Sequence, residues 1–325
     1  MTIHLVYPND RTRRQSAPWS IGYNLATGLR KRGHQVQTYD WDEQLCIFPD
    51  SPDDILIGHP HPEPGKCFRT SLVAPWKKVV SIAPWNGSEE YRRDQEYVWK
   101  VVDHHFAICG SKWFDFDYLP VYDKDGDTIR LESTAMTRLD MAIDPQYFPP
   151  LKQSYNPQGE RRFLYIGCTV PIKGTEYLTE LMRYTELYRE GVQVSSFGHI
   201  GYGEVGHSRK HGYLNLQSDY GRSIISSYDY LIMPGIHDAN PTTVLEAMAW
   251  GLIPVLSDGC GYVEGDYHGY ALARDMHADA ALISELQQVD EAALLDIAAM
   301  NRALVETRYT WQNFTDKVAA VIEAA

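Results

Sequence analysis

Cysteine is scarce in this chain, and its spacing suggests no pairing. The five cysteines, Cys46, Cys67, Cys109, Cys168 and Cys260, are scattered and form no C-x-x-C pair. That argues against a disulfide framework and fits reduced thiols in a cytoplasmic protein. Long apolar runs are missing as well, and none approaches the ~20 residues of a membrane span. The opening residues, MTIHLVYPND, lack the basic-then-apolar pattern of a leader. Positive charge is in deficit: 30 Lys and Arg face 43 Asp and Glu, a net charge of −13. Such a balance argues against a general nucleic-acid binder. Repeats and low-complexity segments are absent.

What is present is a regular alternation. Ile3–Tyr7 reads as a strand, Pro18 opens a helix through Arg32 with Ile21, Leu25 and Leu29 on one face, and Gln35–Tyr39 is the next strand. Further strands are predicted at 55–57, 79–83 and 106–108, and a polar hairpin or flap at 122–131. Residues 145–159 are rich in Pro, Gln and Asn and make the best linker candidate. The alternation then restarts, with strands at 163–166, 192–197 and 213–214 and helices from 175 to 189 and 218 to 227. The last helices are expected at 276–286, 291–307 and 311–325. A chain of 325 residues with 44% hydrophobic content thus divides into two α/β domains. Ligands of such sheets bind beyond the carboxyl ends of the strands.

The most informative stretch is 231–257, LIMPGIHDANPTTVLEAMAWGLIPVLS. It reads as strand, loop, helix, strand. Asn240 suits an N-cap and Pro241 the first helical position. Val244, Leu245, Met248 and Ala249 recur at helical spacing until Gly251 ends the helix. Thr242 and Glu246 share a face one turn into it, and Asp238 precedes it. A helix N-terminus after a parallel strand is an anion site, and an acid one turn further in suits sugar hydroxyls. A nucleotide-sugar diphosphate fits both.

A second stretch, FLYIGCTVPIKG at 163–174, ends a strand at Gly167 and sets Lys173 before a helix. The lysine is well placed for a phosphate. Elsewhere, Arg11, Arg13 and Arg14 with Trp19 suggest a loop that meets an anionic or ring-bearing acceptor, or a solvated loop before a buried helix. The histidines invite a metal reading: His59 and His61 with Glu63, His104 with His105, and His207 with His211. No third ligand stands at zinc-like spacing, so no metal is expected.

Taken together these residues resemble a GT-B-fold glycosyltransferase of the large retaining group with an acid–seven–Glu motif, the family 4-like group. Asp238 to Gly251, DANPTTVLEAMAWG, resembles that motif and its helix, with Asp in place of the usual first Glu. Gly167–Gly174 resembles the phosphate loop, TRLDMAIDPQYFP at 137–149 the stretch closing the first domain, and LRKRGHQV at 29–36 the end of the first helix. The helix with Trp311 resembles the one that crosses back to the N-terminal domain.

The resemblance implies two Rossmann-like domains facing across a cleft. Residues 1–150 would bind the acceptor, 151–307 the donor, and 308–325 would return to the first domain. It implies Lys173, Asp238 and Glu246 as catalytic residues. Gly167, Thr169, Tyr213, Leu214, Asn240, Pro241, Thr242 and Thr243 would join them in binding the donor. His59, Trp85 and Asn86 would line the acceptor side with the arginine loop. The expected reaction is metal-independent and cofactor-free transfer from a nucleoside-diphosphate sugar, such as a UDP-sugar, to a glycan, lipid or small-molecule hydroxyl. A nucleic-acid acceptor ranks below these, and peripheral membrane contact is compatible with the group. Two departures stand out: Cys168 replaces the phosphate-loop arginine, and Pro84-Trp85 stands where the group often has a histidine. They leave room for a non-catalytic nucleotide-sugar binder, or for a phosphorylase or epimerase on the same fold.

Overall fold

The computed structural model describes residues 1–8, 19–85, 97–98, 101–114, 121–122, 128–129, 135–185, 193–197, 209–212 and 215–324. The chain forms two compact units. The first comprises Met1–Cys109, Trp113–Met141 and Trp311–Ala325, and the second Gly110–Lys112 and Ala142–Thr310.

In the first unit, β1 (Thr2–Val6), α1 (Trp19–Lys31), β2 (Gln35–Tyr39) and β3 (Ile55–Gly58) are followed by a short helix, α2 (Cys67–Ser71). Then come β4 (Lys78–Pro84) and β5 (His104–Ile108). An antiparallel pair, β6 (Val121–Tyr122) with β7 (Thr128–Ile129), stands where the sequence suggested a flap. A further strand, β8 (Ala135–Leu139), completes a six-stranded sheet of order β2-β1-β3-β4-β5-β8, with every pairing parallel. β3 and β5 are buried along their whole length, as strands covered on both faces must be. Ile21, Leu25 and Leu29 turn the apolar stripe of α1 inward.

In the second unit, β9 (Arg162–Ile166), α3 (Thr175–Thr185), β10 (Gln193–Phe197), β11 (Arg209–Gly212), α4 (Asp219–Ser226) and β12 (Tyr230–Met233) come first. Next are α5 (Thr242–Trp250), β13 (Ile253–Ser257), β14 (Tyr270–Leu272), α6 (Met276–Leu286) and α7 (Glu291–Thr307). The sheet order is β11-β10-β9-β12-β13-β14, again all parallel. Chain order reverses between β9 and β12, the switch point where such sheets hold ligands at their carboxyl ends. The last helix, α8 (Trp311–Glu323), packs on α1 in the first unit: Arg32 meets Asp316 at 2.5 Å and Glu323 at 3.4 Å. Lys78 Nζ donates to the carbonyls of Val321 and Ala324 at 2.8 Å, satisfying the last turn.

Three local readings change. β8 and β14 were not predicted as strands. The α5 helix begins at Thr242 with Pro241 as its N-cap, so Asn240 lies one residue outside. And residues 145–159 are not a free linker, because they are fastened to the second unit. Phe148 and Tyr155 are buried, the Tyr155 hydroxyl donates to Gly251 O at 2.7 Å, and Lys152 pairs with Asp229 at 3.1 Å.

Candidate functional site

Two loops meet at the switch point of the second sheet. The loop after β9 runs from Gly167 through a 3-10 turn, Pro171–Lys173, to Gly174. The loop after β12 runs from Pro234 to Pro241 and delivers the first turn of α5. They are joined through the backbone, with Ile236 N–H donating to Ile172 O at 2.8 Å. Gly174 sits at φ +69°, and a Cβ there would lie 1.9 Å from Pro234 O, so only glycine allows the two loops to close this far. The turn after β13 supports both from beside. Ser257 Oγ donates to Gly235 O at 2.5 Å, and Asp238 N–H donates to Gly259 O at 2.8 Å.

This junction brings Lys173 and Asp238 together. The ammonium of Lys173 donates to Oδ2 of Asp238, an ion pair across the two loops. Its side chains are 20% and 11% exposed, so it is sheltered but reachable. Each residue is expected from its own motif to have a separate task, and the structure makes them partners.

Glu246 lies on α5 one turn beyond Thr242, both half-buried. It has no hydrogen-bond or ion-pair partner among the described residues, and desolvation pushes its carboxyl up to about 7. A half-buried carboxyl with a raised pKa, one turn into the helix that follows a parallel strand, is a functional-site candidate on physical grounds. The N–H groups of Thr242 and Thr243 open α5 and are left without intrahelical partners by the geometry of a first turn. Pro241 has no N–H to offer, and its carbonyl accepts from the Tyr262 hydroxyl at 3.1 Å. Asn240 is buried. In the first loop, Thr169 Oγ1 is buried without a hydrogen-bond partner. The carbonyl of Cys168 accepts from the Tyr165 hydroxyl at 2.6 Å.

Sequence reasoning missed Arg274. It follows β14 at φ +58°, and its guanidinium donates to Pro234 O while lying 4.8 Å over the Tyr177 ring. The cation thus ties the base of the junction to α3. Nothing local in the sequence points to it, since it follows a strand that was itself not legible.

On the first unit, His59 follows β3 and is 8% exposed. Trp85 follows β4 and is fully buried in the core with Phe68, Val98 and Cys109, so its side chain cannot line an open acceptor site as expected. Trp19 begins α1. Arg11, Arg13, Arg14, Asn86, Tyr213 and Leu214 lie outside the described residues. Among the described residues His59 and His61 join no ligand group close enough for a metal ion. His4, Asp50 and Asp54 do, but the Asp54 carboxylate already accepts from the N–H groups of Thr2, Asp50 and Ser51. No helix among the described residues is long and apolar enough to cross a membrane.

No protein-family model matches the sequence, and neither does any curated protein. Solved structures do match. The sucrose-phosphate synthase of Thermosynechococcus elongatus is 13% identical with a TM-score of 0.70, over 99% of this chain and 98% of that one. WaaG, a glycosyltransferase involved in lipopolysaccharide biosynthesis, is 15% identical with a TM-score of 0.60, over 100% of both chains. TarM of S. aureus, solved as a mutant with fondaparinux, alpha-GlcNAc-glycerol and UDP, is 13% identical with a TM-score of 0.63. That match covers 85% of this chain but 56% of TarM, so the chain spans little more than half of TarM's length. Likeness at these identities establishes the fold, which is GT-B.

Proposed function

We propose that this chain is a retaining glycosyltransferase that moves a sugar from a nucleoside-diphosphate sugar to an acceptor hydroxyl. The observation that carries this reading is the switch-point junction of the second sheet, where Lys173, Asp238, Glu246 and the first turn of α5 gather on a GT-B fold. TarM, a neighbour in fold, was solved with UDP, which makes a UDP-sugar the first donor to try.

On this reading residues 151–307 hold the donor and residues 1–150 the acceptor, with the helix of 308–325 packed back on the first domain. The diphosphate lies against Lys173 and the free N–H groups of Thr242 and Thr243. Gly167 and Thr169 border it from the first loop. Glu246 takes the ribose hydroxyls, and Asp238 and Asn240 the sugar. The sugar–phosphate bond loosens, the acceptor oxygen attacks from the same face, and its proton passes to the departing phosphate oxygen. Charge on the leaving diphosphate is stabilised by Lys173 and the helix N-termini, preorganised donors of the kind that lower such barriers most. The step needs no metal or cofactor.

The test is a thermal-shift screen of nucleoside diphosphates and their sugars, followed by donor hydrolysis and transfer assays on the best binder. Lys173→Ala and Glu246→Ala should each strongly reduce transfer, and near-wild-type activity of both would refute the site. Two observations favour a second reading, a nucleotide-sugar binder without catalysis. Cys168 stands at the arginine position of the phosphate loop, and Lys173 is neutralised by Asp238. Donor binding with neither hydrolysis nor transfer would select it.

A further inference from the structure

Arg274 runs against two local preferences. Among the described residues it is the one non-glycine at positive φ, +58°, in the left-handed region where a Cβ is crowded. It also sets a cation beside two helix N-termini, where backbone dipoles favour negative charge. It stands one residue before Asp275, the N-cap of α6, and its guanidinium lies over Tyr177 in the first turn of α3. A turn that needed only this backbone conformation would be served better by glycine. Residues held against local preference gather where a side chain has a task.

The surroundings keep the arginine in that state. The carboxylate of Asp279 is buried and accepts from the N–H of Ala273 at 2.7 Å and from that of Arg274 itself at 3.0 Å. The Tyr177 hydroxyl donates to the same carboxylate at 2.5 Å. Asp279 thus fixes the backbone of the turn and, through Tyr177, the ring on which the guanidinium rests.

The guanidinium so placed touches both loops of the junction. It donates to the carbonyl of Pro234, which opens the loop that carries Asp238. Its Nη1 borders Gly174, where a Cβ would lie 3.0 Å away, and Gly174 ends the loop that carries Lys173. A planar donor stacked on a ring fixes the place of its acceptor better than a flexible ammonium does.

We propose that Arg274 is a positioning residue of the donor site. By holding Pro234 beside Gly174 it sets the spacing of Lys173 and Asp238 before a donor binds. The inference rests on the glycosyl-transfer reading for what is positioned, a nucleoside diphosphate, and adds to it the residue that preorganises the two loops. A site ordered in advance spends less of its binding energy on ordering.

The experiment compares the full chain with Arg274→Gly and Arg274→Lys. Glycine keeps the left-handed turn and removes the guanidinium, whereas lysine keeps a cationic donor and the strain. Hydrogen exchange is followed by mass spectrometry on the segment 235–240. There the N–H groups of Ile236 and Asp238 donate to Ile172 O and Gly259 O at 2.8 Å and so report closure of the junction. UDP, GDP, ADP and dTDP are titrated into all three proteins. The segment should exchange about tenfold faster or more in Arg274→Gly, with part of the protection returning in Arg274→Lys. Exchange in β9 and β12 should be the same in all three, which shows that the variants fold. The nucleotide that binds wild type should bind Arg274→Gly about fivefold more weakly or worse, and its binding should restore protection. Equal exchange in wild type and Arg274→Gly, or better protection in Arg274→Gly than in Arg274→Lys, overturns the proposal, because the turn then needs only its backbone conformation. Loss of nucleotide affinity with exchange unchanged also overturns it, since Arg274 would then touch the nucleotide itself. Failure of wild type to bind any of the four nucleotides overturns the glycosyl-transfer reading instead, and exchange still decides the role of Arg274.

Discussion

Lys173 and Asp238, 65 positions apart, neutralise one another across the two loops that close the switch point of the second sheet. A diphosphate that needs Lys173 must compete with Asp238 for it. Removing the competing charge should therefore raise affinity for a nucleoside diphosphate while removing a contact to the sugar. Asp238→Asn is expected to bind UDP several-fold more tightly than wild type yet transfer sugar more slowly. Lys173→Ala should lower both affinity and transfer, the latter by about 10²-fold, the loss usual for one preorganised charge or donor. Isothermal titration with UDP beside a transfer assay separates the two. Weaker UDP binding by Asp238→Asn would mean that Asp238 orients the lysine and does not compete for it.

Glu246 gives a pH dependence with a definite sign. Its carboxyl titrates near 7 in the folded chain against 4.5 for an ordinary glutamate. Between those values the folded state holds a proton that the unfolded state has lost. Stability contributed by this group is therefore greatest at low pH, falls as pH rises from about 4.5 to 7, and stays low above that. The difference amounts to about 3 kcal/mol at most. Glu246→Gln should accordingly melt higher than wild type at alkaline pH and together with it at pH 4.5. Ribose hydroxyls prefer the ionised acceptor, so donor binding should release a proton and tighten as pH rises through about 7. Parallel melting curves of the two proteins across pH would remove the buried-carboxyl argument.

How much of this was legible beforehand depends on the range of the interaction. The strands at 55–57, 163–166, 231–233 and 252–256 announced themselves as short apolar runs, and two α/β domains followed from their alternation with helices, while the GT-B arrangement was implied by the resemblance of the motifs. β8 and β14 did not. Thr137 and Arg138 interrupt the apolar pattern of the first, and the second is only three residues long, between Gly269 and Ala273. Lys173 and Asp238 in their loops and Glu246 on α5 were visible because their chemistry is local to each motif. Their pairing was not, because it is fixed by two strands meeting in a sheet. Trp85 shows the reverse error. An aromatic residue just past a strand end resembles a ligand contact, yet here it fills the core.

Gly174 tests whether the junction depends on close approach of the two loops. Alanine there would add a left-handed strain of about 1–2 kcal/mol. Its Cβ would also sit 1.9 Å from Pro234 O, a backbone atom that cannot rotate away. Gly174→Ala should destabilise the second unit by about 3 kcal/mol or more and abolish UDP binding. Gly265→Ala is the matched control. It has a similar φ of +88° but nothing within 4 Å, so it should cost only the backbone strain. Chemical denaturation of both variants checks the difference, and equal losses would show that strain alone, not the meeting of the loops, sets the requirement at 174.

Asp229 decides whether residues 145–159 are held or merely adjacent. Its carboxylate is fully buried and accepts four donors: Lys152 Nζ at 3.1 Å, Asn156 N–H at 3.0 Å, Asn156 Nδ2 at 2.7 Å and Arg162 N–H at 2.8 Å. Three of these come from the segment that looked like a linker, and the fourth from the first residue of β9. Burial also pulls the Lys152 ammonium below its usual range, so its charge is sustained by Asp229. Asp229→Ala strands a buried cation and three N–H groups, which costs about 3–5 kcal/mol. Lys152→Met should cost less, because the carboxylate keeps its three N–H donors and the methionine stem fills the same space. Equilibrium denaturation of the two variants orders them, and limited proteolysis should cut within 145–159 in Asp229→Ala but not in Lys152→Met. A segment that resists protease in both would be held by Phe148 and Tyr155 packing alone.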